Sequence, residues 1–191
     1  MFPAMLPRIL DVGCGRDKLP GALGIDRNPR SHAEIIHDLE RRPWPLPDDS
    51  FDEIRAHDVL EHLHDFIGAV EEIHRVARAG AIVSVRMPFM SSVDHATDPT
   101  HVRAATSRTF DYFDPKKPLG ALGYSDAHLE IVDVRFARSS TPYLGMFFRR
   151  VDKWIVIPLA ERFCGAYEMY FGTLYPMAAV TFTLRVRKPA R

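Results

Sequence analysis

Between Ile9 and Asp26 the chain leaves little freedom of fold. Ile9-Leu-Asp-Val is an apolar strand that runs into Gly13-Cys-Gly15, and Leu23-Gly-Ile-Asp26 is a second strand ending on a carboxylate. Only Arg16 to Pro20 separate the glycine loop from Gly21. Short apolar strands of this kind belong to a parallel sheet covered on both faces. Parallel neighbours ordinarily need a longer, usually helical crossover. This gap is too short for one, so a tight turn closed by Pro20-Gly21 is expected instead. Gly13 and Gly15 let the backbone turn sharply and approach a ligand with no Cβ in the way. Asp26, at the carboxyl end of its strand, is placed to accept hydrogen bonds from ribose hydroxyls.

The remaining elements extend the same sheet. Arg8–Val12, Leu23–Asp26, Glu34–His37, Phe51–His57, Ala81–Val85, Leu129–Phe136 and Val180–Val186 read as strands. The alternation of the sixth slips at Val132, which predicts a bulge. Val59–Ala77 has a helical apolar period, with Gly80 just past its end. Ser107–Phe113 reads as a short helix. The three prolines after Arg42 exclude a helix interior there. The expected class is α/β: a Rossmann-like, seven-stranded, mostly parallel sheet with an antiparallel last strand. One domain is expected over residues 1–191. Residues 8–88 form its cofactor-binding half, 88–125 an acceptor loop, and 139–177 a helical insertion between strands six and seven.

Charge and cysteines narrow the setting. Lys plus Arg and Asp plus Glu both number 25, so no global field recruits nucleic acid or an anionic membrane. Cys14 lies inside the glycine loop, far in sequence from Cys164, so a disulfide is not expected and a reducing cytoplasm fits. Met1–Pro7 lacks the pattern of a secretory leader. Phe163–Phe182 carries only Glu168 as a charge. Gly165, Gly172, Pro176 and the alternation from Val180 argue against a membrane span.

A dinucleotide loop needs a third glycine where this chain has Lys18, and a helix N-terminus facing the pyrophosphate. S-adenosylmethionine (SAM) has no phosphate and loses little without that helix. Leu10-Asp-Val-Gly-Cys-Gly resembles motif I of class I SAM-dependent methyltransferases. Trp44-Pro-Leu-Pro-Asp-Asp-Ser-Phe-Asp, His57-Asp-Val-Leu-Glu-His-Leu and Glu72-Ile-His-Arg-Val-Ala-Arg-Ala-Gly are similar to segments of the type 11 group. Asp98-Pro-Thr-His and Thr109-Phe-Asp-Tyr-Phe are similar to a bacterial subset of it. The departures are the missing third glycine and Ala79-Gly80-Ala81 in place of Pro-Gly-Gly. The resemblance implies that Asp11, Gly13, Cys14 and Gly15 line the methionine end of SAM. It further implies that Asp26 takes the ribose, Asp38 and Leu39 flank the adenine, and His57 sits beside the sulfonium. Read singly, Asp11 would equally brace the loop and Asp38 cap the next turn.

On the acceptor side, Asp58, Glu61 and His62 are spaced i, i+3, i+4 and would share one helix face. Two carboxylates and an imidazole suit a divalent cation such as Mg, Mn or Zn. The segment resembles the Glu-x-x-Glu-His of metal-dependent O-methyltransferases acting in ubiquinone synthesis and on small-RNA 3′ ends. The RNA group takes a further histidine after strand five, where this chain has His101, with His95 as competitor. Without a metal, His62, His95 or His101 is the candidate general base. The plainer alternative is that Glu61 and His62 brace the helix start.

Tyr143, Phe147, Phe148, Trp154 and Ile155 are interleaved with Arg149, Arg150 and Lys153. Such a surface could lie peripherally on a membrane or hold a lipid-linked substrate. The modest apolar surplus favours a cap over the sheet edge or a homodimer surface instead. The expected function is SAM-dependent methylation of an oxygen on a small-molecule or glycan-like acceptor. A non-catalytic SAM-binding or regulatory domain, or a nicotinamide oxidoreductase, are the alternatives. Neutral charge and the lack of a basic stripe argue against nucleic acid.

Overall fold

The computed structural model describes residues 8–138 and 151–189. Five strands come first: β1 (Ile9–Val12), β2 (Leu23–Asp26), β3 (Ile35–Ile36), β4 (Phe51–His57) and β5 (Ala77–Pro88). They are followed by β6 (His128–Ala137) and β7 (Ala179–Arg187). The seven strands form one sheet in the order β3-β2-β1-β4-β5-β7-β6. β1 to β5 pair in parallel, and β7 runs antiparallel to both β5 and β6. The expected sheet, with its antiparallel last strand, is the one that forms. Strand order reverses at β1, which lies between β2 and β4. Open α/β sheets bind ligands outside the carboxyl ends of the strands at such a point.

Burial accounts for the short strands. Leu10, Val12, Ile25, Ile54 and Ala56 are all fully buried, as a sheet covered on both faces requires. β7 alternates instead: Val180, Phe182, Leu184 and Val186 are buried, and the residues between them are half-exposed. The predicted bulge is present, because the β6–β7 register shifts between Ile131 and Asp133.

The helix after β4 differs from its prediction. α1 spans Phe66–Val76, preceded by a separate 3-10 turn at Leu60–His62. Asp65 caps α1 by accepting from Gly68 N at 2.9 Å, and Glu40 accepts from His64 N at 2.6 Å. These side chains take the backbone donors that a continuous helix would have used. The apolar period survived the break because Leu60, Leu63 and Phe66 are buried at three-residue intervals. β5 also begins earlier than Ala81. Gly80, at φ +83°, lies within it, where the β4–β5 register is irregular, and does not close the helix.

Beyond β5 come α2 (Val93–Thr97), then 3-10 turns at Thr109–Phe113 and Gly120–Leu122. The expected helix at Ser107–Phe113 is therefore a shorter 3-10 turn. The insertion is helical over its described part: a π-helical turn at Asp152–Val156, α3 (Ile157–Arg162) and α4 (Cys164–Tyr170). Tyr143, Phe147, Phe148, Arg149 and Arg150 lie outside the described residues. Among the described residues no helix is long and apolar enough to cross a membrane.

Candidate active site

Two groups of polar residues meet at the carboxyl edge of β1 and β4. The first is the glycine loop. Gly13 has φ +64° and donates its N–H to Ile25 O at 2.8 Å. A Cβ there would stand 2.2 Å from Val59 Cγ2, so only glycine fits. Gly15, at φ +52°, donates its N–H to Asp26 Oδ2 at 2.8 Å. The other oxygen of Asp26 accepts from Asn28 N at 2.7 Å. Asp11 is 1% exposed, and Arg55 donates to it from Nε at 3.0 Å and Nη2 at 2.9 Å. Leu19 N adds a third bond at 2.7 Å. Asp11 and Arg55 are register partners on neighbouring strands, which explains the pairing. Residues 13–22 turn without a helix, as the short gap predicts.

This loop borders a cavity of about 170 Å³. Gly13, Asp26 and Leu39 line it, together with Asp58, His62, Thr100 and three others, Arg27, Val59 and Leu63. Asp11, Cys14, Gly15, Asp38 and His57 are not among the lining residues. Cys14 is buried, and burial first, then the nearby Asp11 and Asp26 charges, push its thiol up to about 11. Asp38 pairs with Arg41 at 3.6 Å and accepts from Glu40 N at 3.2 Å, a turn cap. His57 Nε2 lies 2.8 Å from Ser84 Oγ, and burial, then Arg86, lowers its pKa.

The second group is Glu61, His62 and His101, each offering a ligand atom within 4.8 Å of the others. Val102 N donates to Glu61 O at 2.9 Å and ties the two chain segments together. Glu61 is 1% exposed, its Oε2 has no hydrogen-bond partner, and burial pushes its carboxyl up to about 8. His101 Nε2 lies 3.9 Å from Glu61 Oε1, while its Nδ1 is 3.2 Å from His95 O. A carbonyl only accepts, so Nδ1 carries a proton and Nε2 is the nitrogen turned toward Glu61. The same logic fixes His62. Thr100 Oγ1 donates to Asp98 Oδ1 at 2.6 Å, so it accepts from His62 Nδ1 at 2.8 Å. In both imidazoles Nδ1 is thus assigned as a donor from its bonding. Burial, then the neighbouring His101, lowers the His62 pKa and favours the neutral ring.

His95 stacks on His101, with centroids 5.6 Å apart, and its Nδ1 is buried without a partner. It contributes its carbonyl to the cluster rather than a ligand nitrogen. Asp58 is not in the cluster, and the expected shared helix face does not exist. Asp58 precedes the 3-10 turn at φ +54° and forms an ion pair with Arg86, at 2.9 Å from Nε. Sequence reasoning missed Val59, Leu63, Thr100 and Arg55. Of these only Thr100, beside His101 in Asp98-Pro-Thr-His, carried a signal. A larger cavity of about 490 Å³ opens between α1 and residues 103–124, lined by Phe66, Arg103, Tyr112 and Tyr124 among others. It shares no lining residue with the first.

Residues 10–85 match the model of a family described as a methyltransferase domain. The match ends before the loop and insertion on the acceptor side. No curated protein matches the chain. A SAM-dependent methyltransferase from Archaeoglobus fulgidus is similar at 17% identity, with 94% of this chain and 86% of that one covered and a TM-score of 0.57. The [4+2]-cyclase SpnF is similar at 20% identity, with 97% and 76% covered and a TM-score of 0.57. Haemonchus contortus phosphoethanolamine N-methyltransferase 2, solved with SAM, is similar at 13% identity, with 97% and 49% covered and a TM-score of 0.52. At such identities the likeness shows the fold, and the cyclase illustrates that one fold hosts several chemistries.

Proposed function

We propose that this chain, whose residues 10–85 match the model of a methyltransferase domain, is a SAM-dependent methyltransferase that methylates an oxygen of a small-molecule or glycan-like acceptor. The observation that carries the reading is the Glu61–His62–His101 cluster beside the glycine-loop cavity. SAM supplies an electrophilic methyl group on its sulfonium. The rest is positioning, together with removal of the acceptor proton. On this reading Gly13, Asp26 and Leu39, which line the cavity, would leave backbone room, take the ribose and offer an apolar wall. Asp11 holds the loop from below through Arg55 and Leu19.

The cluster fits a divalent cation. It offers one buried carboxyl group with an unpartnered oxygen and two imidazoles whose Nε2 atoms are left free of the Nδ1 bonds described above. Each imidazole has its Nδ1 bonded to a second partner, as metal-bound histidines ordinarily do. Two nitrogens and one oxygen favour Zn or Mn over Mg. Glu61, His62 and His101 would hold the cation, Glu61 giving up its proton to do so, and the chemistry supplied would be a lowered pKa for the acceptor hydroxyl.

The cavity also supports catalysis over a regulatory role. Trp154 is exposed and Phe89 is packed in the core against Phe136 and Tyr167, so neither plugs the cavity. The polar side chains of Asp58, His62 and Thr100 face it instead. The test is a screen of hydroxyl acceptors, following S-adenosylhomocysteine release with and without a chelator. Turnover that stops with chelator and returns with Zn or Mn is expected. Turnover on amines alone, or turnover on hydroxyls indifferent to chelator, would overturn the oxygen or the metal part respectively.

A further inference from the structure

α3 and α4 leave an apolar face open. Leu159, Phe163, Phe171 and Leu174 line a groove of about 490 Å³. All four are more than half exposed, and Leu174 is 80% exposed. Trp154, on the preceding turn, is 73% exposed. Isolated exposed apolar residues are ordinary, but a contiguous set marks an interaction surface.

The charges on the same segment are sorted by sign. Among residues 153–175 the charged side chains are Lys153, Glu161, Arg162 and Glu168. Both acids are engaged by the body of the protein. Glu161 accepts from Phe136 N at 3.2 Å and Arg135 Nη1 at 3.3 Å. Glu168 accepts from Ser107 N at 2.5 Å and Ser107 Oγ at 3.0 Å. Both cations are exposed. Lys153 Nζ lies 5.6 Å from the Trp154 ring centroid, and Arg162 Cζ lies 5.2 Å from that of Phe163. Neither forms an ion pair among the described residues.

We propose that this face docks on an anionic lipid bilayer, with the groove side chains among the acyl chains and Lys153 and Arg162 at the phosphates. Aromatic residues with adjoining cations suit the interfacial layer, where one end is apolar and the other wet. The protein lies on the bilayer, since no described helix could cross it. A second copy is the competing occupant, and an outcome of the test below separates it from the bilayer. Ser91 Oγ donates to Gly172 O, and Glu168 holds Ser107. The docking face is therefore tied to the loop that bears His95 and His101. The docking does not depend on the acceptor reading above, and its test uses no turnover.

The chain has two tryptophans, and Trp44 is 2% exposed. Emission changes on lipid therefore report Trp154. The full chain is mixed with vesicles of phosphatidylcholine, with or without phosphatidylglycerol. Brominated acyl chains serve as quenchers. Flotation with phosphatidylglycerol vesicles, a blue shift, and quenching are expected. Phe163→Asp with Leu174→Asp should lower partitioning by about tenfold or more while leaving the fold intact, because both side chains are exposed. Trp154→Phe should float normally and lose the shift. Failure to float, equal flotation on pure phosphatidylcholine, or a blue shift that follows protein concentration without lipid would each overturn the proposal. The last outcome would assign the face to a second copy.

Discussion

The two polar groups at the sheet edge differ in how their hydrogen bonds are spent. Around the glycine loop the described carboxylate oxygens are occupied: Asp11 by Arg55 and Leu19, and Asp26 by Gly15 and Asn28. In the histidine cluster Glu61 Oε2 and His95 Nδ1 are buried with no partner. Buried polar groups are normally satisfied, so an unpartnered Glu61 oxygen beside two imidazoles supports the proposed ligand site. On the proposed function the first group braces the cofactor edge, and the second is the receptor for a cation. Substitutions in the two should therefore fail differently.

The largest effect is expected in the scaffold. Arg55→Met leaves the Asp11 carboxylate 1% exposed and without its ion pair. It should cost roughly 3–5 kcal/mol, measured by urea unfolding. Gly13→Ala comes next. It must hold φ +64° and displace Val59, for roughly 2–4 kcal/mol and loss of S-adenosylhomocysteine binding in calorimetry. Adding Val59→Ala should recover the packing part alone. If either scaffold variant left stability unchanged, the comparison would break.

In the receptor, stability should hardly suffer while ligand affinity does. Thr100→Val removes the acceptor that fixes the His62 tautomer. It should weaken Zn or Mn binding by about tenfold with little change in Tm. The nitrogen chemical shifts of His62 should then report mixed tautomers.

The last prediction is a pH slope. Glu61 titrates at about 8 in the fold, above its ordinary 4.5, because burial disfavours the charge. The folded state thus holds more protons than the unfolded one between these values. Stability without metal is full below about pH 4.5 and falls as pH rises toward 8. In Glu61→Gln this slope should flatten, as chemical unfolding at several pH values would show. A slope unchanged by the substitution would mean that Glu61 is not held neutral.

The same contrast explains what the sequence disclosed. The cofactor edge was legible because backbone demands force residue types: Gly13 against Val59, and apolar β1 and β2 under both faces. The first crossover was legible from its length alone. The start of α1 was not, because Leu60, Leu63 and Phe66 keep a helical spacing across a 3-10 turn and a cap. That error placed Asp58 on a face it does not share. Its true partner, Arg86 on β5, is 28 residues away and visible only through strand pairing. His101 was legible as a residue type. Its orientation was not, because the His95 carbonyl sets it through a contact visible only in the fold.

The most direct measurement is a calorimetric titration of Zn or Mn into the metal-free protein near pH 7, in buffers of different ionisation enthalpy, beside Glu61→Gln. One site per chain is predicted, with proton release on binding. In Glu61→Gln the site should be lost, while S-adenosylhomocysteine affinity stays at the wild-type value. Equal metal affinity in the two proteins, or no binding by the wild type, would contradict the assignment of Glu61, His62 and His101 as the receptor.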